Sequence, residues 1–187
     1  MSTRTIETPI GALTLVASAD AITAVRFGAQ GARDASALLD AAEAQLHEYF
    51  ARTRRTFDLP LDPRGTAFEL RVWAALRTIP YGETRSYGAI AAAIGSPSAS
   101  RAVGMANHHN PIPIVIPCHR VIGANGTLTG YAGGLETKRR LLDAGLLVQQ
   151  GEGSVTIENS LESPAILALS RQLLHAPIFP GRESFDK

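Results

Sequence analysis

One cysteine, one tryptophan and two methionines are all that 187 residues carry of these types. A single cysteine excludes an internal disulfide. That thiol and five scattered histidines show no zinc-ligand spacing, so neither a metal nor another cofactor is expected. Charge of neither sign predominates: 18 Lys and Arg against 17 Asp and Glu leave a formal net charge of +1. Attraction to an anionic partner must therefore come from a local basic face. There is no apolar run of 18 residues and no signal-peptide pattern, so neither membrane spanning nor secretion is expected. A free thiol suits a reducing cytoplasm. Internal repeats and low-complexity tracts are also absent.

Hydrophobic residues at 45% and charged residues at 19% are ordinary for a globular protein. The length suffices for one or two small domains with real cores. Residues 5–27 read as β-structure. Leu13, Leu15 and Ala17 alternate with Thr14, Val16 and Ser18, a turn follows at Asp20, and strand character resumes from Ile22 to Phe27. From about 35 to 51 the pattern becomes helical, with Leu39, Ala42, Leu46 and Tyr49 on one stripe. Phe57, Leu59 and Leu61 alternate as a further strand. Nothing in this first part carries visible chemistry, and His47 and the arginines at 52, 54 and 55 read as surface.

The segment 62–65 looks like a linker. Thr66 and Glu69 then form a capping box ahead of Phe68, Val72, Leu76 and Ile79, with Trp73 in the core. Tyr87, Ile90, Ala91 and Ile94 share a helical face that ends at Gly95. Ser98 is placed to cap a further helix with an inner face of Ala99, Ala102, Val103 and Ala106. Its other face carries Arg101, Met105 and His108. Two short helices joined by a glycine-containing turn make a helix-turn-helix pattern. The second is rich in small residues, which suit either tight helix packing or a close approach to DNA. Residues 123–134 form a turn-rich loop, and 135–147 an amphipathic helix whose Lys138, Arg139 and Arg140 read as a solvated trio that could meet phosphates. Beyond it lie a possible strand at 155–157 and a short helix at 163–174.

The organising stretch is Asn110-Pro111-x-Pro113-x-x-Ile116-Pro117-Cys118-His119-Arg120-Val121-Ile122-Gly123. Its prolines hold φ near −65° and disfavour helix, so Cys118 is expected at the end of a stiff, mostly apolar extended segment. A lone cysteine is most often a small buried hydrophobe. An adjacent imidazole changes that reading, because it can take the thiol proton. On a regular strand neighbours point to opposite faces, so the pair cooperates only across a backbone turn or through a water.

This motif resembles the active-site signature of the O6-alkylguanine-DNA alkyltransferases, the methylated-DNA–protein-cysteine methyltransferases. The likeness spans about residues 65–144 and is weaker over 1–64. It implies an α+β architecture in three parts. A small N-terminal sheet-and-helix domain occupies 1–64. A mainly helical, winged-helix-like alkyltransferase domain with the helix-turn-helix occupies 65–147. A C-terminal extension of unassigned role occupies 148–187.

The resemblance further implies a monomer acting on the minor groove of double-stranded DNA. The damaged guanine is everted into a pocket, and its O6-alkyl group (or the O4-alkyl group of thymine) passes irreversibly to Cys118. His119 matches the residue that removes the thiol proton through a water. Tyr87 matches the tyrosine that crowds the 3′ phosphate and supplies a proton to the departing guanine. Arg101 matches the intercalating arginine. Gly88, Ser96, Ala102 and Gly104 belong to the DNA-facing surface. Asn110 matches the asparagine bracing the turn before the active site, Pro113 the pocket wall, and the Val121 carbonyl an acceptor for the guanine amine. Tyr131 and Ala132 match the loop that contacts the base.

One departure stands out. Where the family carries a glutamate that orients the histidine, this chain has Gly145. Glu152 is the substitute expected to fold back toward His119. A broken relay keeps two alternatives open: a damage-binding sensor with a sluggish thiol, or an acceptor of alkyl groups from a small molecule.

Overall fold

The computed structural model describes residues 1–149 other than Ala32, with side chains described as far as Ala144 in the last helix. The architecture is α+β. Three antiparallel strands, β1 (Ser2–Ile6), β2 (Leu13–Ala17) and β3 (Ile22–Phe27), form a sheet in the order β1-β2-β3. The central strand β2 is buried along its whole length, with Leu13 opposite both Ile6 and Phe27. Helix α1 (Ala37–Phe50) starts where the Ser36 hydroxyl accepts from the Leu39 amide, and it lays Leu39, Ala42, Leu46 and Tyr49 inward. Arg4 reaches from β1 to Asp40 and Glu43 of this helix, fixing the sheet against it.

The expected strand at Phe57, Leu59 and Leu61 does not form. Only Leu61 bridges to Ile22, since Pro60 and Pro63 lack the amide hydrogens that would extend the ladder. Helix α2 (Ala67–Arg77) opens with the full capping box of Thr66 and Glu69. Trp73 is buried and its Nε1 donates to the Ala106 carbonyl at 2.8 Å. Helix α3 (Tyr87–Ala93) and helix α4 (Ser100–His108) are the helix-turn-helix pair, and both pack on α2.

Two details of α4 depart from expectation. Ala99, not Ser98, occupies the cap position, with no side-chain bond, because the Ala99 amide already closes a turn onto the Ser96 carbonyl. Ala102 is exposed, since Val103 and Ala106 set the buried stripe and Ala102 falls off its edge.

A two-residue parallel pair, β4 (Arg85–Ser86) with β5 (Val121–Ile122), ties the start of α3 to the chain just after Cys118. Helix α5 (Gly134–Gln149) closes over this region. One continuous core runs from Leu13, Leu15 and Leu39 through Trp73 and Leu76 to Ile112, Ile114 and Ile116. No helix among the described residues is long and apolar enough to cross a membrane.

Candidate active site

Residues 110–117 are buried, apart from a half-buried Pro111, but not a strand. Prolines at 111, 113 and 117 remove three ladder donors, and the segment folds on itself instead. The Ile116 amide donates to the Ile112 carbonyl at 2.9 Å, Pro113 bridges to Ile116, and Ile114 adopts a positive φ of 76°. That is a strained conformation for a β-branched residue, held by a site from which Ile114 exposes no surface. The extended segment expected before Cys118 is therefore a compact buried turn. Cys118, His119 and Arg120 then form one turn of 3-10 helix. This supplies the bend that a cooperating Cys-His pair requires.

Asn110 organises the turn. Its Nδ2 donates to the Ile116 carbonyl at 2.8 Å and to Cys118 Sγ at 3.1 Å, while its Oδ1 accepts from the Ile112 amide at 3.1 Å. The Cys118 side chain is buried, with only 4% of the residue exposed. Burial pushes the thiol up from its ordinary range. The Asn110 amide, the Lys138 ammonium and the backbone amides of Cys118 and His119 pull the other way without reversing the shift. Cys118 thus rests as a neutral thiol.

His119 is buried as well. Loss of solvation, reinforced by Arg120 and Lys138, holds its imidazole well below the usual histidine range, so it rests neutral and able to accept a proton. Its Nε2 lies 3.4 Å from the Tyr49 hydroxyl. Its Nδ1 is buried and has no partner among the described residues. Arg120 donates to the Ile79 carbonyl at 2.7 Å and stacks over the Tyr81 ring.

Lys138 is buried rather than solvated as expected, and its Nζ donates to the carbonyls of Val121 (2.7 Å) and Thr129 (2.9 Å). Burial lowers it to about 8, with the nearby Cys118 opposing that shift. Its neighbours Arg139 and Arg140 do pair at the surface, both with Glu136. Helical spacing could have flagged Lys138, which stands three residues before the buried Leu141, but the charge run concealed it.

Tyr87 joins the turn to the helix pair. Its hydroxyl accepts from Thr129 Oγ1 at 2.9 Å, its ring lies 5.9 Å from Lys138 Nζ, and a Cβ on Gly104 would sit 3.8 Å from it. Arg101 is exposed and makes no ion pair or hydrogen bond among the described residues. Ala102, next to it on α4, and Gly88 of α3 are also exposed, while Ser96 is half-buried in the intervening turn. Pro113 is buried in the segment below the thiol turn.

Tyr131 packs edge-on against Phe27 of β3 at 5.7 Å, and its buried hydroxyl has no partner among the described residues. Burial, with Cys118 close by, pushes that phenol far up. Ala132 next to it is exposed, and Gly133 lets the loop lie on Phe27, since a Cβ there would come within 2.8 Å of the ring. Glu152, the expected partner of His119, lies outside the described residues, as do the possible elements at 155–157 and 163–174. A small cleft borders Tyr49, Tyr81, Glu83, Arg120 and Leu141, and Cys118 does not line it. No cluster of metal-binding side chains occurs among the described residues.

An α+β protein with a lone thiol beside a neutral imidazole, carried next to a helix-turn-helix, belongs to the class that performs nucleophilic chemistry on a covalent acceptor cysteine. The family described as 6-O-methylguanine DNA methyltransferase matches twice: its ribonuclease-like domain over residues 1–63 and its DNA binding domain over 67–145. A methylated-DNA–protein-cysteine methyltransferase of Mycobacterium tuberculosis is 54% identical over 148 residues, covering 75% of this chain and 89% of the relative. The constitutive enzyme of that name from Bacillus subtilis is 50% identical over 140 residues, covering 69% of this chain and 85% of the relative. The crystal structure of Mycobacterium tuberculosis OGT in complex with DNA superposes with a TM-score of 0.74 at 53% identity, over 79% of this chain and 94% of that one. The chain belongs to the methylated-DNA–protein-cysteine methyltransferase family.

Proposed function

We propose that this protein repairs DNA by taking the O6-alkyl group of an alkylated guanine onto its own Cys118, once per molecule. The observation that carries the reading is the catalytic turn itself. A buried thiol accepts a hydrogen bond from Asn110, and the next residue is a neutral imidazole. In the reaction the thiol proton passes to His119 across a water. The thiolate attacks the alkyl carbon, the S–C bond forms and the C–O bond breaks. The electron pair goes to O6, and guanine departs with a proton supplied by Tyr87. The product is a thioether with no ready route back, so each molecule is spent after one event.

In this reading the chain works as a monomer in the cytoplasm, with the division at 64/65 and 147/148. Helix α4 enters the minor groove, where the exposed Ala102 and the bare backbone at Gly104 allow close approach. Arg101 fills the place of the everted nucleotide. Tyr87, with Gly88 and Ser96 near it, crowds the backbone. Because Cys118 is nearly covered, the base reaches it by displacing the Tyr131–Ala132 loop, and the unpartnered Tyr131 hydroxyl then bonds to the purine. Asn110, Pro113 and the Val121 carbonyl complete the pocket.

Intact mass spectrometry after incubation with O6-methylguanine duplex tests this. The expected result is a gain of one methylene on the wild type and none on Cys118→Ala. A second reading, binding without transfer, draws on the upward shift of the thiol and the partnerless Nδ1 of His119. Tight duplex binding with unchanged mass would select it.

A further inference from the structure

The first 63 residues show no chemistry in the sequence, yet α1 sends one hydroxyl into the catalytic turn. We propose that Tyr49 is a positioning residue for His119: its hydroxyl accepts from Nε2–H and so keeps Nδ1 as the bare lone pair that takes the thiol proton. The inference rests on the alkyl-transfer reading above.

Three observations carry it. Tyr49 Oη is the one polar atom within hydrogen-bonding reach of the ring nitrogens of His119 among the described residues, at 3.4 Å from Nε2. Once His119 takes a proton, both ring nitrogens must donate, and burial with Arg120 and Lys138 nearby opposes that charge. An acceptor at Nε2 is then the group that makes the imidazolium tolerable. The contact is longer than a typical N–H···O bond, and it shortens as the ring becomes charged.

The Tyr49 ring is also held too firmly to drift. It is buried, and it meets Phe50 at 5.8 Å, Phe57 at 5.1 Å and Tyr81 at 5.6 Å between ring centres. Burial pushes its phenol up, so it stays protonated and polar, with the neighbouring Arg120 guanidinium lowering it only in part. The charged and titratable groups around the pair are Cys118 and Arg120 from the turn, Lys138 from α5, Tyr131 from the loop before it, and Tyr81 beside Tyr49.

Tyr49→Phe removes the hydroxyl and keeps the ring. The single-turnover rate of methyl transfer at saturating duplex is expected to fall roughly 10- to 100-fold. Duplex affinity should not change. The acid limb of the pH–rate profile should move to lower pH, since the imidazolium loses its acceptor. Iodoacetamide alkylation of Cys118 without DNA should also slow at fixed neutral pH, where the neutral thiol reacts by passing its proton to His119. That second readout separates the two claims: failure of methyl transfer in the wild type sinks the repair reading, whereas the iodoacetamide rate judges Tyr49 on its own. Phe57→Leu is the control for packing, as it loosens the same cluster without touching a polar group. Wild-type rate and limb in Tyr49→Phe would overturn the inference, and so would equal changes in Phe57→Leu.

Discussion

Cys118 and His119 are neighbours in one turn, but the two sides of that turn are built differently. The thiol side is fully furnished from nearby chain: Asn110 bonds the sulfur, and Lys138 sets the field and pins Val121. Among the described residues the imidazole side has a single long contact, from Tyr49, 70 positions away in sequence. The sulfur thus carries groups that partly offset its burial before substrate arrives, whereas the ring becomes well partnered only when it is charged. Burial works against the charged form on both sides of the proton transfer.

The comparison can be broken most forcefully at Lys138. Lys138→Met leaves the Val121 and Thr129 carbonyls without their buried donor, and should cost about 2–4 kcal/mol in urea unfolding. It should also push the thiol further up, so iodoacetamide labelling slows at fixed pH. Asn110→Ala is next. It orphans the Ile116 carbonyl and the Ile112 amide, for about 1–3 kcal/mol, and removes the bond to sulfur. If labelling of Cys118 were unchanged in both variants, the thiol side would not be prepared as described.

The imidazole side is sharpened by acid. His119 is held neutral in the folded state, so the unfolded chain binds its proton first as pH falls. Stability should therefore drop below about pH 6.5, toward the lower folded value. Lys138, lowered to about 8, stays charged across that window. In His119→Gln the drop should be smaller, as read by thermal unfolding at several pH values. The smallest effect is expected outside the turn. Gly104→Ala places a Cβ in ordinary contact with Tyr87 and should stabilise the helix by up to ~1 kcal/mol. Loss of duplex affinity despite that gain would show α4 to be the surface that approaches DNA.

Much of this arrangement was legible beforehand, for identifiable reasons. The capping box at Thr66 and Glu69 and the alternation along β2 are local signals that the fold respects. The prolines around Cys118 correctly forbade a helix, but they also removed the amides that would have held an extended segment in a ladder, and nothing local predicts a positive φ at Ile114. Lys138 looked solvated because its partners, the carbonyls of Val121 and Thr129, are backbone groups without a sequence signature. Tyr49 read as one more core aromatic, since what its hydroxyl meets is decided by how α1 packs. The pair β4–β5 is two residues long and too short to show a period. Ala102 fell on the wrong face because a run of alanines defines a helical stripe poorly.

The most direct test is the pH dependence of Cys118 alkylation by iodoacetamide in the free protein, where no other thiol competes. A neutral thiol beside a neutral imidazole predicts slow labelling near pH 7 that keeps rising past the ordinary cysteine range of about 8.5. A rate already at its plateau below about pH 7 would reveal a resting thiolate–imidazolium pair and contradict the account.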